Sequence, residues 1–364
     1  MDIRGLIEQI KLDCNISDAG FWGYYSICGL LLRLRELYRD ENSLLPWAEI
    51  PREDMSVWIA SREAIWKTLE NKRLMPLRID GRVYDPFEID EINAVLGRAG
   101  LIYGGGYGRF NKPAFFLARL KSRRELYDYH IYYAGDELCR DLSSSVAMLQ
   151  GRCIFMRLES LKTLLWEKFQ ELRSRRFGGA LKEAFSSYGI EGTESPSEEL
   201  YKKIGTISDE ISELFILHEL GEAVEDYQSG EWLGILSQNR DRLTEFYMRG
   251  IKDLLSDTSD MGPLKYIANK KERYLLNFYM IFLDGIRKEV FPEIMDAYQR
   301  FIEGNDWTII ENARIAGYKR AMELREYVLR LWKEGKRGEI GAFIKQSLRD
   351  SFKTSKGDTH NSKG

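Results

Sequence analysis

The segment AFFLARLKSRRELYDYHIYYAG, residues 114–135, decides how the chain divides. Two runs rich in aromatic and branched side chains, 114–120 and 127–133, flank a polar stretch, which is the pattern of a β-hairpin with a basic tip at Lys121–Arg124. Upstream, LRIDGRVYDP (77–86) sets Asp80-Gly81 between two short alternating runs, the strongest two-residue hairpin signal in the chain. Helical spacing covers 21–41, 56–71 and 85–100, the last with Asp85 as cap, Pro86 in the first turn and Gly97 or Gly100 as stop. YGGGYG (103–108) reads as a glycine-rich loop with open backbone N–H groups. Helix, helix and basic-tipped hairpin together resemble a winged-helix plan.

Beyond Gly135 helical periodicity takes over from Asp136 to about Arg176, and helices are expected near 200–227, 239–257, 269–289, 293–303 and 307–334. The expected fold is therefore mainly α. A small α+β N-terminal module, helices plus two β-hairpins, occupies 1–134, and a large all-α bundle-like body occupies 135–352. The polar residues 353–364 are expected to be a disordered tail.

Composition narrows the class. With 364 residues, 44% apolar and 30% charged, the chain reads as an ordinary soluble protein. A net charge of −3 argues against wholesale binding to nucleic acid or anionic membrane. No run of 18 residues is free of charge and no secretory leader opens the chain, so no membrane association and a cytoplasmic location are expected. Cys14, Cys28, Cys139 and Cys153 lie 14 apart within each pair. Helix over both spans would hold each pair about 21 Å apart, beyond disulfide reach. Four reduced, mostly buried thiols are expected.

One helix stands out for chemistry. In ILHELGEAVED (216–226), His218, Glu222 and Glu225 fall within about 60° of one another, flanked by Glu219 and Asp226. His and Glu at i, i+4 suit one shared cation, although the second histidine of H-E-x-x-H is absent. HELGEAVE also resembles, over about ten residues, the E-L-G-E helix of all-α nucleotide pyrophosphatases of the MazG kind. That likeness implies magnesium on Glu219 and Glu222 with an E-x-x-D pair on a neighbouring helix, and no such pair follows within the usual distance.

Possible partners are Asp253 and Asp257, one turn apart in GIKDLLSDT, and Asp284, which with Asn277 interrupts the apolar run 274–286. A carboxylate inside an apolar helix requires a partner. Oxygen-rich ligation favours magnesium or manganese, and three histidines in all are too few for a di-iron bundle. The metal candidates are thus His218, Glu222, Asp253, Asp257 and Asp284, with Glu219 beside them.

A second constellation runs from Arg98 to Arg124, with seven basic residues and no acid in 27 positions, interleaved with tyrosine and phenylalanine. Arg109, Lys112, Arg119, Lys121, Arg123 and Arg124 are candidates for an anionic ligand, nucleic acid or a protein partner. Neither constellation names a catalytic residue. The reading placed first is a binding or regulatory protein; the alternative is a divalent-metal-dependent hydrolase acting on a phosphorylated or nucleotide-like substrate.

Overall fold

The computed structural model describes residues 1–108, 111–174, 179–227, 232, 234–235, 242–343 and 346. The expected tail at 353–364 lies outside the described residues. The chain divides into two compact units, Met1–Gln170 with Glu194–Ser212, and Glu171–Thr193 with Glu213–Gly364.

The first unit is built on a five-stranded sheet, which overturns the expectation of a mainly α chain with two hairpins. Its strands are β3 (Leu101–Tyr107), β4 (Pro113–Leu126), β5 (Tyr129–Arg140), β6 (Ala147–Gln150) and β7 (Cys153–Arg157), in the order β3-β4-β5-β7-β6. Only β5 and β7 run parallel; the other neighbours are antiparallel. The small β1 (Leu77–Ile79) and β2 (Arg82–Tyr84) hairpin is as expected, with Asp80 and Gly81 both at positive φ, 47° and 79°.

Three misreadings have physical causes. The glycine run is strand β3, not a loop: Gly104, Gly105 and Gly106 pair with Phe116, Phe115 and Ala114. A Cβ on Gly104 would overlap the Phe116 ring, and one on Gly106 would meet the Gln150 amide at 2.5 Å, so close packing accounts for the glycines there. The supposed basic tip is mid-strand, with Ser122, Arg123 and Arg124 paired to Tyr133, Tyr132 and Ile131; the turn lies at Tyr127–Asp128. Its charged residues are exposed strand positions, which removes the winged-helix likeness. Finally, Asp136–Arg157 is not helix but holds the end of β5, then β6 and β7, joined by a loop at 141–146 and a turn at 151–152. Irregular register breaks the alternation of β5, and β7 is buried at every position, so CIFMR carries no period-2 signal.

Both faces of the sheet are covered. Leu6, Ile10 and Cys14 of α1 (Ile3–Phe21) pack with Ile92 and Leu96 of α4 (Ile89–Leu96) against Tyr103, Phe115 and Leu117. Ile102, Phe116, Ala118, Met148 and Phe155 form the opposite layer. The alternation of Phe115 and Phe116 between these layers shows the period of two at work. Helices α2 (Ile27–Glu41) and α3 (Arg52–Leu69) join Ala19 and Leu142 in a third cluster through Leu34, Leu37 and Trp66.

Helices α5 (Leu158–Ser174), α6 (Ala180–Ser186) and α7 (Glu198–Tyr227) follow the sheet, and the three unit boundaries fall within α5, between α6 and α7, and within α7. The second unit is helical over its described residues, as expected. It continues with α8 (Arg242–Thr258), α9 (Pro263–Lys270), α10 (Arg273–Phe282), α11 (Gly285–Val290), α12 (Pro292–Gly304) and α13 (Trp307–Lys333). The helix expected over 269–289 is broken: Leu283 and Asp284 are extended and Gly285 takes φ +52°. All four cysteines are free, three buried and Cys28 exposed; Cys139 and Cys153 lie on strands rather than on the expected helix. Among the described residues no helix is long and apolar enough to cross a membrane.

Candidate metal centre

The approach of α7 to α8 creates the centre. Gly221 faces Ser256, and a Cβ there would stand 2.5 Å from the serine Oγ and 2.6 Å from its carbonyl oxygen. Only glycine admits that contact. Ser256 Oγ also donates a hydrogen bond to the His218 carbonyl, tying the helices one turn from Gly221. The neighbouring residue, Asp257, is thereby set against the His218 ring.

His218 Nδ1 lies 2.7 Å from Asp257 Oδ1, and His218 Nε2 lies 3.5 Å from Glu222 Oε1. Ligand atoms of His218, Glu222 and Asp253 all fall within 4.8 Å of one another. Their i, i+4 spacings on two helices, expected from the sequence, thus converge on one place. Asp257 is 2% exposed and also accepts from Tyr279 Oη at 3.1 Å. Two cations close the network: Lys252 Nζ sits 2.9 Å from Glu222 Oε2, and Arg287 approaches Asp257 at 3.6 Å and Asp253 at 3.9 Å. Arg287 is anchored in turn by donating to the Phe282 carbonyl.

The electrostatics follow from burial and these neighbours. Burial opposes the imidazolium of His218, but Asp257 and then Glu222 outweigh it and raise the pKa well above the ordinary histidine value. Glu222 is penalised by burial yet held well below the carboxylate range by His218 and Lys252. Asp253 moves the other way, to about 6, because burial and the charges of Glu222 and Asp257 outweigh His218 and Arg287. Three carboxylates and a histidine in one place, with one carboxylate pushed up, make a site able to take a cation or a proton.

The remaining candidates are elsewhere. Glu219 is half-buried on α7 but outside the three-ligand group. Asp284 is exposed in the break before α11, so it is not the buried helical carboxylate expected; its former stripe partner Asn277 is buried and accepts from Tyr298 Oη at 2.8 Å. Lys252, Tyr279 and Arg287 were not anticipated. Lys252 adjoins Asp253 in sequence and Arg287 follows Asp284 by three, but nothing local shows that either chain position turns toward His218.

The basic constellation does not gather into one patch. Arg109 lies outside the described residues. Lys112 points inward, its ammonium 3.0 Å from both Asp18 and Asp141; burial works against its charge, and the two carboxylates raise its pKa. Lys121 pairs with Asp209 at 2.7 Å, Arg124 stacks over Tyr133, and Arg123 is exposed. Arg119 is exposed and lines a cavity together with Lys121.

Comparison with known proteins adds a family. Residues 5–157 match the model for the N-terminal domain of a family of unknown function (DUF6866), and residues 162–350 match the model for its C-terminal domain. No curated protein and no solved structure matches the chain. With both domain models satisfied in order, the chain belongs to the DUF6866 family.

Proposed function

We propose that this is a binding protein whose C-terminal unit takes up one magnesium or manganese ion on His218 Nε2, Glu222 and Asp253. The observation that carries the reading is the convergence of three ligand atoms within 4.8 Å while Asp257 occupies the remote ring nitrogen. A metal-bound histidine characteristically donates its other N–H to a carboxylate, which fixes the tautomer. Glu222 divides its oxygens between His218 and Lys252, so one remains for a cation without loss of the ion pair. Two oxygen ligands to one nitrogen suit magnesium or manganese better than zinc. A cytoplasmic location belongs to the same proposal and is compatible with four unbridged thiols.

Lys252 and Arg287 favour a second reading at the same place, hydrolysis of a phosphorylated or nucleotide-like substrate, since both cations stand where an anion carried by the metal would be neutralised. Calorimetric titration of manganese into the full chain, beside His218→Ala and Asp253→Asn, tests the first reading. One saturable site is expected, lost in His218→Ala and weakened in Asp253→Asn; identical heats in all three chains sink it. For the second reading, manganese-dependent release of phosphate from nucleoside triphosphates that disappears in Asp253→Asn is required. Binding without turnover leaves the first reading alone.

A further inference from the structure

A cavity of about 390 Å³ in the first unit is shaped by defects in the β4–β5 ladder. Ala118 pairs with Glu137 and Leu120 with Ala134, so the single residue Arg119 faces two, Gly135 and Asp136. Between Leu120–Ala134 and Ser122–Tyr133 the extra residue is Lys121, on the opposite strand. Such bulges interrupt the strict alternation of the pleat and re-aim side chains. Here the four bulge residues, Arg119, Lys121, Gly135 and Asp136, all line the cavity. Glu159 and Lys162 of α5 and Asp209 of α7 line it too.

The charges in it are balanced, three cations and three carboxylates, and they are not equally occupied. Lys121 is taken by Asp209 at 2.7 Å, and Lys162 is 3.5 Å from Glu159 and lies over the Tyr201 ring. The side chains of Arg119 and Asp136, both exposed, have no hydrogen bond or ion pair among the described residues, which leaves an unpaired guanidinium and an unpaired carboxylate on two residues that line the same space. Glycine at 135 and 205 keeps that space open. A Cβ on Gly135 would meet the Arg119 carbonyl at 3.5 Å, and one on Gly205 would meet Lys162 Cε at 3.8 Å, ordinary contacts that a larger side chain would extend into the cavity. The volume lies at the small end of ligand pockets.

We propose that this cavity binds a small zwitterion of the amino-acid class, its carboxylate on the Arg119 fork and its ammonium on Asp136. A bare anion is the poorer match, because it would enter beside three carboxylates with two of the three cations already paired. The proposal is independent of the cation site in the second unit.

The test is calorimetric binding to the full chain of a panel comprising α-amino acids, β-alanine and γ-aminobutyrate, with acetate, methylammonium and inorganic phosphate as single-charge probes. At least one zwitterion is expected to saturate the protein, with acetate and methylammonium each far weaker. Affinity should fall at least about tenfold in Arg119→Ala and in Asp136→Asn, the scale of one charge-assisted hydrogen bond. Gly205→Leu should abolish it by filling the cavity, with unchanged circular dichroism showing that each variant is folded. Saturation by phosphate alone, no zwitterion binding, or zwitterion binding indifferent to all three substitutions would each overturn the assignment.

Discussion

Asp13 shows how a buried carboxyl can be read from its partners. One oxygen accepts from the Met75 N–H at 2.7 Å, while Oδ2 has no hydrogen-bond partner among the described residues. Burial, opposed by the Met75 bond and aided by Asp85, lifts its pKa from 3.8 to about 6. The folded protein therefore keeps a proton that the unfolded chain has released. That contribution favours folding fully below pH 3.8 and is lost as pH rises to about 6. Asp13→Asn keeps an acceptor for Met75 and cannot ionise. Its denaturation midpoint should accordingly gain on the wild type between pH 4 and pH 6.5; parallel midpoints across that range would refute the assignment. At the other centre, Asp257→Asn should weaken manganese about 10- to 100-fold by freeing the His218 ring, measured by the same calorimetry. An unchanged affinity would show that Asp257 does not orient the ligand.

At the scale of the element, the site depends on how closely two helices can approach. Alanine at an ordinary helical glycine stabilises, as expected at exposed Gly304, where a Cβ meets nothing within 4 Å and the gain should be about 0.5 kcal/mol. Gly221→Ala should do the reverse. Its Cβ would press on backbone of α8, and the overpacking should cost about 1–3 kcal/mol despite the better helix propensity. Chemical denaturation of both variants measures the contrast. Because the same contact sets His218 against Asp257, Gly221→Ala should also reduce cation affinity, and a stable, fully binding variant would contradict this view of the crossing.

At the scale of the whole molecule, the first unit is not contiguous in sequence. Trp47 packs on Trp166 at 5.1 Å and on Tyr201 at 5.7 Å, and Ser208 Oγ donates to the Leu158 carbonyl at 3.2 Å. A fragment ending at residue 157, where the N-terminal family match ends, lacks four of these partners, Leu158, Trp166, Tyr201 and Ser208. It should melt at a lower temperature than a fragment 1–212 and show a red-shifted tryptophan emission; equal melting would show that the strand-bearing segment needs no cover from 158–212.

Periodicity made the helices near 293–303 and 307–334 and the Asp80-Gly81 hairpin legible, because each is specified by residues a few positions apart. The same local rule placed Asp253 and Asp257 on one face and His218 with Glu222 on another. It placed the first half of β5 as the second arm of a hairpin but failed for the rest of β5 and for β6 and β7, where bulges and burial on both faces erase the alternation that marks a strand, and for α1, which was not anticipated. The meeting of the two carboxylate-bearing faces, the inward turn of Lys112, the exposure of Asp284 and the arrival of Arg287 all depend on residues far apart in the chain. A helix face can be computed from spacing, but which other face it meets is settled by packing, here by the absence of one side chain at Gly221.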